Sequence, residues 1–263
     1  MDVRLDGKVA LITGGSKGLG KAMALRFAEA GASVAITARG AEALESARQE
    51  IQAAGGGNKV VAVSRDVSKA EECEAVHATV VEQLGPVDIL VNNAGTSQRG
   101  PFLEVSDALW QNDLDLKLFA AIRLARLTLP SMQERKWGRI INVLNVGAKA
   151  PAAQGAPTAV SRAAGMALTK VLAGEAAPHN VLVNALLVGL IDSNQHEVKH
   201  QASGSDISYD EFLQDMAESN KIPLGRVGRA EEFADIACFL ASDRASYLSG
   251  VAINVDGGRS PVV

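Results

Sequence analysis

TGGSKGLG, residues 13–20, is the stretch on which the fold turns. An apolar run, KVALIT, leads into it, and a helix-forming run, GLGKAMALRFAEAG, leads out. Gly14, Gly18 and Gly20 remove side chains where backbone must approach a pyrophosphate and where a helix must lie close to a strand. A helix beginning at about Gly18 then offers free N–H groups and the positive end of its dipole to an anion. Strand, tight glycine turn and helix in that order predict a dinucleotide-binding unit.

The alternation continues along the chain. SVAIT is followed by AEALESARQEIQAAGG, and KVVAVSRDV by KAEECEAVHATVVEQLG. Then come DILVNN, a long helical region from Val105 to about Met132, RIINVLNV, a helix from about Pro157 to Ala177, and VLVNALLV. Such a βαβ series predicts a parallel sheet, and strands that are apolar almost without alternation predict that both its faces are covered. The expected fold class is α/β: a single-domain, doubly wound, Rossmann-like parallel sheet over residues 1–263 with helices on both faces. One segment breaks the rhythm. From about residue 190 to 223 the chain turns polar, with one amphipathic helix near Tyr209 to Ser219. A long insertion of this kind reads as a lid-like substrate segment, against the alternative of a solvated excursion.

At 263 residues and 47% hydrophobic content the chain can bury a sizeable core. A net charge of −4 gives no basic field, so the expected partner is a small-molecule substrate rather than nucleic acid or an anionic membrane. Cys73, Cys238 and four scattered histidines show no metal-ligand spacing, so no metal is expected, and the reducing cytoplasm is the expected location. The N-terminal MDVRLDGKVALITGG has too short an apolar run for a signal sequence. At the end of the second strand, AITARG places Arg39 where an acidic residue would bind the ribose 2′-hydroxyl of NAD. Arg39 and Lys17 together can grip a 2′-phosphate, which makes NADP(H) the expected cofactor.

TGGSKGLG, NNAG at residues 92–95 and VDGG at residues 255–258 together resemble the short-chain dehydrogenase/reductase family, a likeness that runs from about Leu5 to Gly258. The resemblance implies that Gly14, Ser16, Lys17, Gly18, Leu19 and Gly20 bind the cofactor phosphates. It likewise implies that Asp66 and Val67 hold the adenine, and that Asn93, Ala94 and Gly95 lie beside the adenine ribose and the central strand. Ser193, in VGLIDS, matches a hydroxyl residue that touches the nicotinamide amide, although the family's Pro-Gly reads Val188-Gly189. A homotetramer built partly on the helices starting near Val105 and Pro157 is also implied. Those helices are apolar over a wider arc than one sheet-facing stripe requires.

The catalytic frame departs from that pattern at all four positions. The family's Asn is Lys117 here, its Ser is Asn145, its Tyr is Thr158 and its Lys is Arg162. An aliphatic hydroxyl such as Thr158 cannot usefully ionise where a phenol would. Arg162 stays charged and can bind but cannot pass a proton, whereas Asn145 keeps a side-chain donor able to polarise a carbonyl. Lys117 can substitute as proton donor if it faces the pocket; the alternative is an Asp113–Lys117 pair at i,i+4 on a solvated face. His196, His200 and Tyr209 of the polar segment are further candidates.

Two functions are compatible with this sequence. One is an NADP(H)-dependent oxidoreductase acting on a small carbonyl or alcohol with an atypical catalytic site. The other is a non-catalytic NADP(H)-binding sensor or partner subunit on the same fold.

Overall fold

Seven apolar runs pair side by side in the computed structural model, which describes residues 2–204 and 207–263. They are Val9–Thr13 (β1), Ser33–Ala38 (β2), Val60–Ser64 (β3), Ile89–Asn92 (β4), Gly138–Asn145 (β5), Val181–Val188 (β6) and Ala252–Val255 (β7). The sheet order is β3-β2-β1-β4-β5-β6-β7, and every neighbouring pair is parallel. The helices are Gly18–Glu29 (α1), Ala41–Ala54 (α2), Ala70–Leu84 (α3), Asp107–Leu114 (α4), Ala120–Glu134 (α5), Thr158–Ala176 (α6), Asn194–Ser203 (α7), Tyr209–Ser219 (α8) and Ala230–Ala241 (α9).

The uninterrupted apolar strands follow from two cores. Ala10, Ile12, Val34 and Ile36 point to one side, where they meet Met23 and Phe27 of α1, Leu44 and Ile51 of α2, and Phe233 of α9. Leu11, Val61 and Leu90 point to the other, against Val76 and Val80 of α3 and Leu124 and Met132 of α5. Successive strand residues serve opposite faces, so a strand buried on both has no polar position to alternate with.

The long helical region expected from Val105 to Met132 is not one regular helix. Ser106 caps its start by accepting from the Leu109 N–H, and a π-helical segment, Asp115–Phe119, separates α4 from α5. The Ala120 N–H reaches back to the Asp115 carbonyl, one residue further than an α-helix allows. The wide turn carries Lys117.

The polar segment after β6 contains α8 at the expected place, opened by a Ser208/Glu211 capping box, and a second helix, α7, ahead of it. Residues 205 and 206 between them lie outside the described ones. The strap is anchored where Gly189 leaves β6: a Cβ there would fall 2.4 Å from Asp256 Cβ, so the VDGG stretch packs directly on the glycine. Ile191 then pairs with Gly228 in a parallel bridge. Among the described residues no helix is long and apolar enough to cross a membrane.

Candidate active site

The strand order reverses direction between β1 and β4, and at such a switch point the carboxyl ends of the strands leave a crevice. A cleft of about 300 Å³ lies there. Gly14 and Ser16 after β1, Arg39 after β2, Arg65, Asp66 and Val67 after β3, and Ala94 and Gly95 after β4 all line it. The turn is built so tightly that a Cβ on Gly20 would fall 2.2 Å from the Gly14 carbonyl oxygen. Gly14 itself has φ +68, a left-handed conformation that suits glycine. No side chain caps the start of α1, which leaves its first-turn N–H groups for an anion. These features fit a dinucleotide: a glycine cradle with no room for a side chain, an open helix start, and arginines at the far end.

Not every expected cofactor residue lines this cleft. Gly18 and Leu19 open α1 behind the turn, and Lys17 is exposed at the position before the helix. The Asn93 side chain is spent on the turn: its Nδ2 donates to the Thr13 carbonyl at 2.9 Å, while Thr13 Oγ1 accepts from the Asn93 and Ala94 N–H groups, each at 2.9 Å. Asn93 thus splints β1 to β4. Asp66 Oδ1 accepts from the Ser68 N–H at 3.1 Å and holds the bend into α3. Ser193 precedes α7, outside the lining of the cleft. Among the lining residues that sequence reasoning missed, Arg65 is the charged one, although it stands beside Asp66 in the same SRDVS stretch.

Beside the cleft, the π segment and the first turn of α6 bring Lys117 and Thr158 together. Lys117 Nζ donates to Thr158 Oγ1 at 2.7 Å and also to Asp113 Oδ1. Ser161, one turn along α6, donates to Asp113 Oδ2 at 2.6 Å, and the Thr158 hydroxyl lies 3.4 Å from Asp113 Oδ1. The Gln98 N–H donates to Thr158 Oγ1 at 2.9 Å. The Asp113–Lys117 pair therefore forms, but not on a solvated face: Asp113 is 2% exposed, Lys117 5% and Thr158 3%. Asp113 is the buried residue of α4, and the π turn carries Lys117, buried as well, beside it.

Arg162 lies on the same side. Its Nη1 donates to the Val143 carbonyl at 2.8 Å, and a Cβ on Gly95 would fall 2.5 Å from its Nη2 and 3.5 Å from Lys117 Cγ. Asn145 ends β5 with Oδ1 buried and without a hydrogen-bond partner among the described residues. A Cβ on Gly147 would be 3.1 Å from that oxygen and 3.9 Å from Ala159 Cβ, which places Asn145 close to the start of α6.

Charge at this site is unbalanced. One carboxylate, Asp113, faces the cations of Lys117, Arg162 and Arg99. Burial, the largest effect, lowers the Lys117 pKa to about 8; Asp113 opposes this and the two arginines add to it. Burial also lowers the Arg162 guanidinium, which nevertheless stays charged at neutral pH. The weakened hold of Lys117 on its proton has a measurable consequence for folding. Between about 8 and its ordinary 10.5, the unfolded chain holds a proton on Lys117 that the native chain has released. Stability should therefore rise with pH across that window, by about 1.4 kcal/mol for each tenfold loss of proton affinity, and the cost of burying the charge is fully present below it. Urea unfolding of the wild type against the double variant Asp113→Asn, Lys117→Met checks this. The rise should be missing in the variant.

The strap candidates are engaged elsewhere. The Tyr209 hydroxyl donates to Asp192 Oδ1 at 2.5 Å, and burial together with that bond raises its pKa. His200 Nε2 bonds to the Ile207 carbonyl oxygen at 2.9 Å, and His196 lies 3.9 Å from Asp192. None of these contacts involves Lys117 or Thr158. Tyr247 is fully exposed.

Fold and site together define a doubly wound parallel α/β protein with a glycine-cradled cleft at the switch point of its sheet and a buried polar cluster beside it. The family model described as short chain dehydrogenase matches residues 8–203. The 3-oxoacyl-acyl-carrier-protein reductase FabG of Aquifex aeolicus is 34% identical over 258 residues, 98% of this chain and 99% of that protein. L-Sorbose reductase from Gluconobacter frateurii, solved with NADPH and L-sorbose, superposes with a TM-score of 0.94 at 36% identity, covering 100% of both chains. The NADPH-bound structure of a short chain oxidoreductase from Pseudomonas aeruginosa PAO1, which contains an atypical catalytic center, gives a TM-score of 0.91 at 34% identity over 99% of each chain. This protein belongs to the short-chain dehydrogenase family.

Proposed function

We propose that the protein is an NADP(H)-dependent oxidoreductase acting on a small carbonyl or alcohol, with Lys117 supplying the proton that the family's Tyr would supply. The observation that carries this reading is the 2.7 Å bond from Lys117 Nζ to Thr158 Oγ1. A proton donor works best when its pKa lies near the working pH, and Lys117 is held at about 8. In the direction of reduction, the Thr158 hydroxyl gives its proton to the substrate oxygen and Lys117 refills Thr158. Asn145, whose Oδ1 has no hydrogen-bond partner among the described residues, offers its amide N–H to orient and polarise the carbonyl. Arg162 provides fixed positive charge at Gly95, where the cofactor cleft ends. The bound nicotinamide would supply or accept the hydride. Arg39 and Arg65, both exposed at the cleft, would receive a 2′-phosphate, and two structural relatives carry NADPH. The sorbose reductase supports a hydroxylated small carbonyl as substrate, and the Pseudomonas relative shows an atypical centre compatible with NADPH binding in this family.

A second reading, a non-catalytic NADP(H)-binding sensor or partner subunit, draws on the same cluster. Lys117 and Thr158 are almost fully buried and bonded to each other and to Asp113, an arrangement that a packing role would also produce. NADPH oxidation against a panel of ketones and ketoses, with fluorescence titration of NADPH in parallel, separates the two. Turnover supports the enzyme, and tight binding without turnover supports the sensor.

Assembly as a homotetramer belongs to the same proposal. Phe119 at the end of the π segment and Val160 and Val171 on α6 are exposed apolar side chains on the two helices that the resemblance implicates. Light scattering at micromolar concentration should give about four times the 27.4 kDa chain mass. A monomer would contradict it.

A further inference from the structure

Asp113 is the hub of the buried cluster. Two donors from two elements converge on its carboxylate, the Lys117 ammonium and the Ser161 hydroxyl of α6, and Thr158 Oγ1 lies 3.4 Å from Oδ1. Burying a carboxylate is costly unless its oxygens are served, and burying an ammonium is costly unless an anion faces it. The charged groups around Lys117 are Asp113 from α4, Arg162 from α6 and Arg99 from the loop after β4. Asp113 is thus the single anion among them. Lysine has a flexible stem, and without that anion its ammonium would face two guanidinium groups and either give up its proton or swing away from Thr158.

We propose that Asp113 is a positioning residue that fixes the Lys117 ammonium against Thr158 Oγ1, with Ser161 holding the carboxylate in place. The inference rests on Lys117 being the proton source. In the relay, the Thr158 O–H bond breaks as its proton passes to the substrate oxygen, and a Lys117 N–H bond breaks as that proton moves to Thr158 Oγ1. The neutral amine keeps an N–H on Asp113, whose charge does not change, and water returns the proton to Lys117. Asp113 itself transfers nothing.

The test is a pH titration of the Lys117 side-chain carbon resonance in the full-length protein labelled at lysine Cε, the resonance being assigned by its absence in Lys117→Met. Asp113→Asn should lower the proton affinity of Lys117 about tenfold or more, the effect of removing a close opposite charge. Asp113→Glu should recover part of the loss. Ser161→Ala, which releases the carboxylate from α6, should lower the midpoint by a smaller amount. That variant also serves if Asp113→Asn does not fold. An unchanged midpoint in Asp113→Asn, or in Ser161→Ala where that variant stands in, overturns the proposal. Failure of the underlying reading is seen separately, as carbonyl reduction that survives the paired substitution Lys117→Met with Asp113→Asn.

Discussion

Changing Lys117 to Met together with Asp113 to Asn is expected to lower kcat for carbonyl reduction about 10²- to 10⁴-fold, the usual cost of losing a placed general acid, while NADPH binding persists. The paired substitution matters. Removing Lys117 alone would strand Asp113 as an uncompensated charge in a site that is 2% exposed. Breaking a buried pair in that way typically costs about 3–5 kcal/mol, enough to confuse a folding defect with a catalytic one. Both new side chains are uncharged and close in size to those they replace, so the cleft lined by Gly14, Arg39 and Asp66 should be undisturbed. Steady-state turnover and a fluorescence titration on the same preparation decide the matter. Retained turnover would remove Lys117 from the mechanism, and loss of NADPH binding would show that the cluster holds up the cofactor site instead.

Arg39→Asp should invert cofactor preference. A charge-assisted hydrogen bond is worth about 1.5–3 kcal/mol, or roughly tenfold to 150-fold in affinity, and the new carboxylate would also repel a 2′-phosphate. Because Arg39 is exposed, the effect should fall at the lower end of that range for each bond lost. Arg65 remains and should preserve part of the NADPH affinity, so Arg39→Asp combined with Arg65→Ser is the stronger test. NADH affinity should hold or improve, since the introduced carboxylate can accept from the free 2′-hydroxyl. Calorimetry that finds NADH and NADPH bound equally well by the wild type would overturn the assignment.

The architecture was readable from TGGSKGLG and the apolar runs because each rests on local chemistry: glycines at a tight turn, and strands hydrophobic on both faces. The helix α8 was readable for the same reason, since its apolar residues recur at helical spacing. The helix α7, NQHEVKHQAS, has almost no apolar stripe and leaves no periodic trace. The site was only half legible. Asp113 and Lys117 stand four apart and announce an ion pair, but its burial depends on the π turn, which hangs on a backbone bond from Ala120 to Asp115 that composition does not encode. Ser161 joins the cluster because α6 docks against that turn, a contact between segments more than 40 residues apart. Arg65 reaches the cofactor cleft because β2 and β3 pair with Ala38 opposite Ser64, and register between strands is a tertiary fact.

Gly95 is the thin wall between two compartments. On one side it lines the cleft; on the other it lies against Arg162 and Lys117, where a Cβ would fall 2.5 Å from Arg162 Nη2. Charges separated by so short a stretch of protein act on one another more strongly than they would through water. Negative charge seated in the cleft and a proton on Lys117 would then favour each other, and the coupling must be mutual: whatever factor occupancy adds to proton affinity, protonation adds to occupancy. Cofactor binding would draw protons from solution, and the reservoir for the reaction would be charged by the same event that makes the protein ready to use it.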